Sequence, residues 1–399
     1  MLFPLKREDP FAPPAAYKAR EDGAPLRVRL AYGGDAWLVT GHRTARAVLS
    51  DGVTFSSDPT CPGYPAFPLF SKRPVPGHFL AMDAPDHTRL RRTVAAHFTA
   101  AQVRARGAAM TAAAAGVVDA MREAGSPGDL VASVSVPLSG LSTSEILGTP
   151  LEDLDFFLDR TRDLQRHDVT QAQRAVAAGR LNRYLEKLLL KKKRDPGDDL
   201  LSDLAASVPD DGAEPTEDGL TLKEAVGVAN LLVIAGQETS AGLLSLTVLS
   251  LLRDPAQGDL VRSDPERWAE PAVTEALRYW TLVQHGAARV ATRGTELAGQ
   301  RIRAGDAIIV HLASANRDPA VFAEPDTFDI TRETRTHLAF GHGAHHCLGS
   351  AVSQAQVQRA VVELFGRLPA LRLAGDPRAG LEFLEDMLVY GLRVLPVAW

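Results

Sequence analysis

One stretch, between Thr221 and Asp254, limits what this chain can become. Thr221 and Glu224 have the spacing of a capping box, in which hydroxyl and carboxylate satisfy each other's backbone N–H. Asp254-Pro255 stops the pattern, because the residue before a proline is pushed out of the helical region. Between them lie about 32 residues of helix, roughly 48 Å at 1.5 Å per residue. Apolar side chains cover this helix on all sides, so it belongs either in a bilayer or in the core of a large protein. Gln237, Glu238, Thr239 and Ser240 break the apolar run at its middle, where a bilayer penalises an acid most. The reading is therefore a core helix crossing a large, mainly helical protein. The chain has 399 residues, 45% of them hydrophobic, which is ample to enclose one.

Polar residues at that depth need a purpose. Ala235-Gly236 just before them removes side-chain bulk, so a ligand can approach, with an acid (Glu238) and an alcohol (Thr239) beside the gap. Taken alone, Thr239 can equally bond back to a carbonyl of its own helix. A second unusual string is Phe340-Gly341-His342-Gly343-Ala344-His345-His346-Cys347-Leu348-Gly349. Gly341, Gly343 and Gly349 allow positive φ or close approach to a flat ligand. Leu348, Ala351, Val352 and Ala355 then recur at helical spacing. The first N–H groups of that helix and its dipole favour a thiolate at Cys347. Three readings of Cys347 stand on this string: a small apolar filler, a zinc site with His337, His342, His345 and His346, or a thiolate ligand to haem iron. Zinc lacks the paired spacing of structural sites and a second nearby cysteine.

Elsewhere, Glu275 and Arg278 share a helix face at i, i+3, with Arg332 placed to join them. His87 and Arg91, four apart after Asp83-Ala84-Pro85, either clamp an anion or belong to an ordinary basic face with Arg89 and Arg92. Val28–Leu30 and Ala36–Val39 flank Gly33-Gly34 as a β-hairpin. Six prolines between Pro59 and Pro76, with Tyr64, Phe67, Phe70 and Phe79, exclude helix and suit either a binding wall or a plain surface loop. The acidic segment from Pro209 to Glu217 is an exposed connector. Net charge is −5 with Lys and Arg spread along the chain, so no nucleic-acid partner is expected. Lys191 to Arg194 reads as a solvated helix end. Cys61 and Cys347 are the only cysteines, which argues against a disulfide framework and for a reducing cytoplasm. Met1 to Pro14 lacks the apolar run of a signal peptide, and no membrane anchor is expected. No P-loop, H-E-x-x-H or G-x-S-x-G occurs.

In chain order, His87-x-x-x-Arg91, Ala235-Gly236-Gln237-Glu238-Thr239, Glu275-x-x-Arg278, Arg289 in Ala-Arg-Val-Ala, Ala315-Asn316-Arg317-Asp318-Pro319 and the Cys347 loop together resemble the cytochrome P450 family, of the soluble bacterial type. The resemblance covers essentially the whole chain. It implies a mainly α fold with small β-sheets, as a single domain over 1–399, with the long central helix over the haem. The implied cofactor is heme b (iron protoporphyrin IX), with Cys347 as metal ligand and His87, Arg91, Arg289 and His345 holding the propionates. Glu275, Arg278 and Arg332 match the structural ionic triad. Glu238 and Thr239 match the catalytic pair that relays protons during oxygen activation. The implied activity is O2-dependent hydroxylation or epoxidation of a bulky, mainly apolar small molecule, in natural-product biosynthesis or xenobiotic oxidation. A P450-type oxidase that closes rings or couples aromatics, and a non-catalytic haem sensor, are the alternatives. The implied substrate walls are the Pro59–Phe79 loop, Leu232 and Ala235, Leu282 to Ala287, and Met387 to Tyr390, with Gln284 and His285 as polar exceptions. A ferredoxin and its reductase would supply electrons to a monomer, with Arg89 and Arg92 near the docking face. Val352-Ser353-Gln354-Ala355-Gln356 departs from the family's Ala-Arg-x-Glu element, so a polar contact of the proximal helix is expected to be missing. His342 and His346 are unusual fillers that would tune the iron potential.

Overall fold

The computed structural model describes residues 1–31, 33–65, 75–166, 168–210, 219–375 and 381–399. The elements that build the site run, in chain order, β1 (Leu2–Phe3), β2 (Leu26–Leu30), β3 (Asp35–Val39), α1 (His42–Ser50), β4 (Phe55–Ser56), α2 (Asp86–Ala95), α3 (Gly107–Ala124), α4 (Val136–Leu147), α5 (Leu154–Gln165), α6 (Gln171–Arg194), α7 (Leu222–Arg253), α8 (Pro265–Trp280), β5 (Ala287–Ala291), β6 (Ala307–Val310) and α9 (Ser350–Arg367). The expected hairpin forms from β2 and β3, with Arg29 opposite Asp35 and positive φ at Gly33 and Gly34. The largest sheet has the order β1-β2-β3-β6-β5-β4. β3 and β6 pair in parallel, and β6 pairs antiparallel with β5.

The central helix α7 has the 32 residues that its caps define, and both halves of the Thr221–Glu224 capping box are present. Two hydrophobic cores meet it at different heights. Its N-terminal half, from Ala225 to Val233, packs with α6 residues such as Leu181 and Leu185. Its C-terminal half, from Leu243 to Leu251, packs with α3, α8 and α9 through Val118, Val273, Trp280 and Val361. Residues 235–242 lie between the two cores and belong to neither. That gap is the physical meaning of the polar interruption, since a helix segment without an apolar partner layer can carry hydroxyls and an acid.

The basic run that ends α6 is only partly solvated. Lys192 pairs with Asp199, and Lys193 donates to the carbonyls of Val208 and Pro209, tying down the near end of the connector. Phe67, Phe70 and most of the acidic connector lie outside the described residues.

Candidate active site

The cysteine loop is built by two left-handed glycines and the start of α9. Gly341 and Gly343 have φ of 72° and 73°, as expected. A Cβ on Gly343 would stand 2.3 Å from the carbonyl oxygen of Leu49 at the end of α1, so the loop folds directly onto that helix. Gly349 differs from expectation. It caps α9 with an ordinary φ of −84°, and no atom lies within 4 Å of a Cβ built there. The Cys347 amide donates to Phe340 O at 2.8 Å, closing the loop. Cys347 is exposed as a residue, yet protein surrounds its thiol closely enough for burial to dominate its ionisation. The Gly349 N–H and the Arg91 charge favour thiolate, but burial outweighs them and pushes the thiol pKa up. The helix terminus thus favours thiolate as expected, and desolvation of the sulfur opposes it more strongly.

Opposite the loop, Ser240 of α7 donates to Ser353 of α9 at 3.0 Å. The contact lies within the segment that departs from the family pattern, so a polar contact of this helix is present in another form. Ala235 is exposed in mid-helix and Thr239 is only partly covered, while Gln237 and Glu238 are buried. The small Ala235 thus leaves open space beside this stretch of α7. Gly236 has another role: a Cβ there would lie 3.1 Å from the Thr143 hydroxyl, so the glycine permits the close crossing of α4 and α7 rather than approach of a ligand. Thr239 donates to Ala235 O at 2.7 Å. The Glu238 carboxylate lies 3.2 Å from Arg162 Nε of α5. Burial raises its pKa, and the Arg162 charge and hydrogen bond oppose that rise. A cavity of about 390 Å³ reaches Glu238 and is shared with Arg162, Met387 and Val389.

The cationic residues converge. His87 on α2 is buried, and its Nε2 has no hydrogen-bond partner among the described residues. Its ring centroid lies 4.2 Å from that of His345. His345 Nε2 lies 3.0 Å from the Ser57 hydroxyl, and burial, then the Arg289, His87 and Arg91 charges, lower its pKa to about 3. Arg289 on β5 is buried, and its guanidinium donates to Ala288 O at 2.7 Å. Burial lowers its pKa, while Tyr64 and Asp83 act the other way. Arg91 donates to His346 O at 2.7 Å and lies within electrostatic reach of the sulfur. Four groups able to donate to an anion thus share one region, and one of them is a buried orphan. A buried unsatisfied donor is costly. The set fits a flat dicarboxylate ligand such as haem, whose propionates would accept from these groups. Among the described residues no cluster of three or more metal-ligating side chains occurs, which disposes of the zinc reading there.

Glu275 and Arg278 are fully buried and bidentate, at 2.8 and 2.7 Å. Arg332 Nε stands 3.5 Å from Glu275, completing the expected triad. The model that describes the cytochrome P450 family matches residues 269–368, the span holding the triad and the cysteine loop. Pentalenic acid synthase of Streptomyces avermitilis is 38% identical, over all of this chain and 97% of that protein. The chain belongs to the cytochrome P450 family. Among solved P450 structures, MoxA from Nonomuraea recticatena superposes with a TM-score of 0.88 at 38% identity, covering 100% of this chain and 98% of that one. CYP105P1 in complex with filipin I gives 0.90 at 35%, with the same coverage. The P450 fold and the monooxygenase class are thereby established, and membership implies a haem cofactor.

Several expected contacts are placed differently within this P450. Arg89 pairs with Glu224 and donates to Gly219 O at 3.1 Å, so it secures the start of α7 and is not free for a partner. Gln284 commits its amide to Leu384 O and Met387 O at 3.2 and 2.8 Å, anchoring the C-terminal hairpin that the antiparallel Phe383–Leu392 bridge closes. His285 rests edge-on to Phe3, 6.2 Å between ring centroids. The sequence reading missed Arg162, Thr161, Gln165 and Ser139. Each acts on α7 from at least 69 residues away in the chain, and no local pattern signals that.

Proposed function

We propose that this P450 binds heme b with Cys347 as the iron ligand and with His87, Arg91, Arg289 and His345 around the propionates. The observation that carries this reading is the buried, unpartnered His87 Nε2 beside His345, Arg289 and Arg91. Such a cluster is unfavourable in the protein alone and is relieved by two carboxylates. Thiolate-ligated haem supplies the oxygen-activating chemistry. The chain's part is to hold protons and exclude bulk water. Glu238, held at the cavity by Arg162, is the acid that gives and takes a proton at its carboxyl. The Thr239 hydroxyl, now turned onto Ala235 O, passes it into the space that Ala235 leaves open.

The substrate is a bulky, mainly apolar small molecule that undergoes hydroxylation or epoxidation. The apolar character of Leu232, Ala235 and Met387 to Tyr390 supports this. So do the relatives, one a pentalenic acid synthase and one solved with filipin I bound. Electrons come from a ferredoxin and its reductase, and the enzyme works as a cytoplasmic monomer, in keeping with its two unpaired cysteines. The test is a set of substitutions. Arg289→Leu with His87→Leu weakens haem retention. Glu238→Gln and Thr239→Ala retain haem but lower product formation roughly a hundredfold, the scale of a lost general acid. Unchanged turnover in the last two variants sinks the relay assignment.

A further inference from the structure

One turn of α5 grips the relay segment of α7 at three points. The Thr161 hydroxyl lies 3.0 Å from the Gln237 side-chain oxygen and shares its one proton with the Phe157 and Leu158 carbonyls of its own helix, also at 3.0 Å, Arg162 meets Glu238 at 3.2 Å, and the Gln165 amide donates to Ile234 O at 3.1 Å. From the other side, Ser139 of α4 donates to Gln237 O at 2.6 Å and lies 3.3 Å from Gly236 O. With Thr239 on Ala235 O, four consecutive carbonyls of α7, residues 234–237, each accept from a side chain. These bonds tie the segment to α4 and α5 in addition to its own ladder, whose donors here are the amides of residues 238–241, so losing one of them eases local opening.

The same α5 turn is joined to a wall of the substrate space. Gln165 O accepts from Leu388 N at 3.2 Å, and Arg166 bridges Met387. Gln165 therefore touches the hairpin through its backbone and the relay helix through its side chain. Its Oε1 is buried and has no hydrogen-bond partner among the described residues, which is costly where it stands.

We propose that Thr161 and Gln165 are positioning residues that couple occupancy of the Met387–Leu388 wall to the placement of Glu238 and Thr239. This rests on the relay reading above. A molecule pressing on the hairpin moves the α5 turn, and the turn moves the carbonyl and side chain that set the relay geometry. Protons then reach the site when the space is filled.

The experiment is amide exchange of the haem-loaded protein, read on a peptide covering 234–242, free and saturated with 1-phenylimidazole as the probe. In the natural protein the probe slows exchange of the amides of 238–241. In Gln165→Leu and Thr161→Val, exchange without probe rises roughly tenfold, the scale of one lost buried hydrogen bond, and the probe's effect is lost. Thr161→Ser, which restores the donor, restores both. Natural exchange and an intact probe effect in Thr161→Val overturn the proposal, whether or not Gln165→Leu folds. Full turnover in Glu238→Gln and Thr239→Ala alongside the exchange changes overturns the relay reading instead.

Discussion

Replacing Glu275 by Gln tests how the cysteine loop is held from below. Arg278 is fully buried and all five of its N–H groups have acceptors: both oxygens of Glu275, at 2.8 and 2.7 Å, and the carbonyls of Asn316, Pro325 and Thr327, at 3.1, 2.7 and 3.0 Å. Glu275 also accepts from Asp329 N at 2.9 Å. Gln is nearly isosteric but has one acceptor and one donor end. With its oxygen at the Oε1 position it keeps Arg278 Nη2 and Asp329 N, and its NH2 then faces Arg278 Nε–H. One charge-assisted bond, about 1.5–3 kcal/mol, is lost. The guanidinium also keeps its charge without a counterion in a site that water does not reach. Breaking a buried pair in this way costs about 3–5 kcal/mol, a large share of the about 5–15 kcal/mol that holds a typical domain together. Because Arg278 ties down Asn316, Pro325 and Thr327, upstream of Cys347, the loss reaches haem binding as well. Urea unfolding followed by the haem absorbance, with the haem-to-protein ratio of the purified protein, measures both. A variant that keeps full haem and unfolds within about 1 kcal/mol of the natural protein refutes the reasoning.

Two further outcomes follow from particular positions. Gly343→Ala places a Cβ 2.3 Å from Leu49 O at a φ of 73°, so it should cost about 2 kcal/mol or more and lower haem content, whereas Gly349→Ala should leave haem content unchanged; absorbance ratios of the two purified variants decide. Burial, with the Arg7 and His285 charges, lowers the His311 pKa from 6.5 to about 3, so the unfolded chain binds the extra proton between those values. Its contribution is complete above pH 6.5 and falls with acidification, by about 2 kcal/mol from pH 7.5 to pH 5. His311→Asn, which can still accept from Ser314 N, should flatten that part of the stability–pH curve in urea titrations; an unchanged slope contradicts the buried neutral imidazole.

The features readable in advance are those whose cause is local. The ends of α7 follow from Thr221, Glu224 and Asp254-Pro255, and the turns at Gly341 and Gly343 follow from the absence of Cβ. Glu275 and Arg278 were legible because i, i+3 residues must share a face. What was not legible depends on distant chain. Gly236 serves the crossing with Thr143, Arg89 is claimed by Glu224, and Arg162 sets the environment of Glu238. The desolvation that opposes the Cys347 thiolate was not legible for the same reason: a helix N-terminus shows in the sequence, and the depth of burial around one sulfur does not.

The absorption spectrum of the dithionite-reduced, CO-saturated holoprotein tests the central claim most directly. Thiolate ligation by Cys347 gives a strongly red-shifted Soret band, lost in Cys347→His with haem still bound. A well-folded, haem-loaded protein without that band, or a Cys347→His variant that keeps it, contradicts the assignment of Cys347 as the iron ligand.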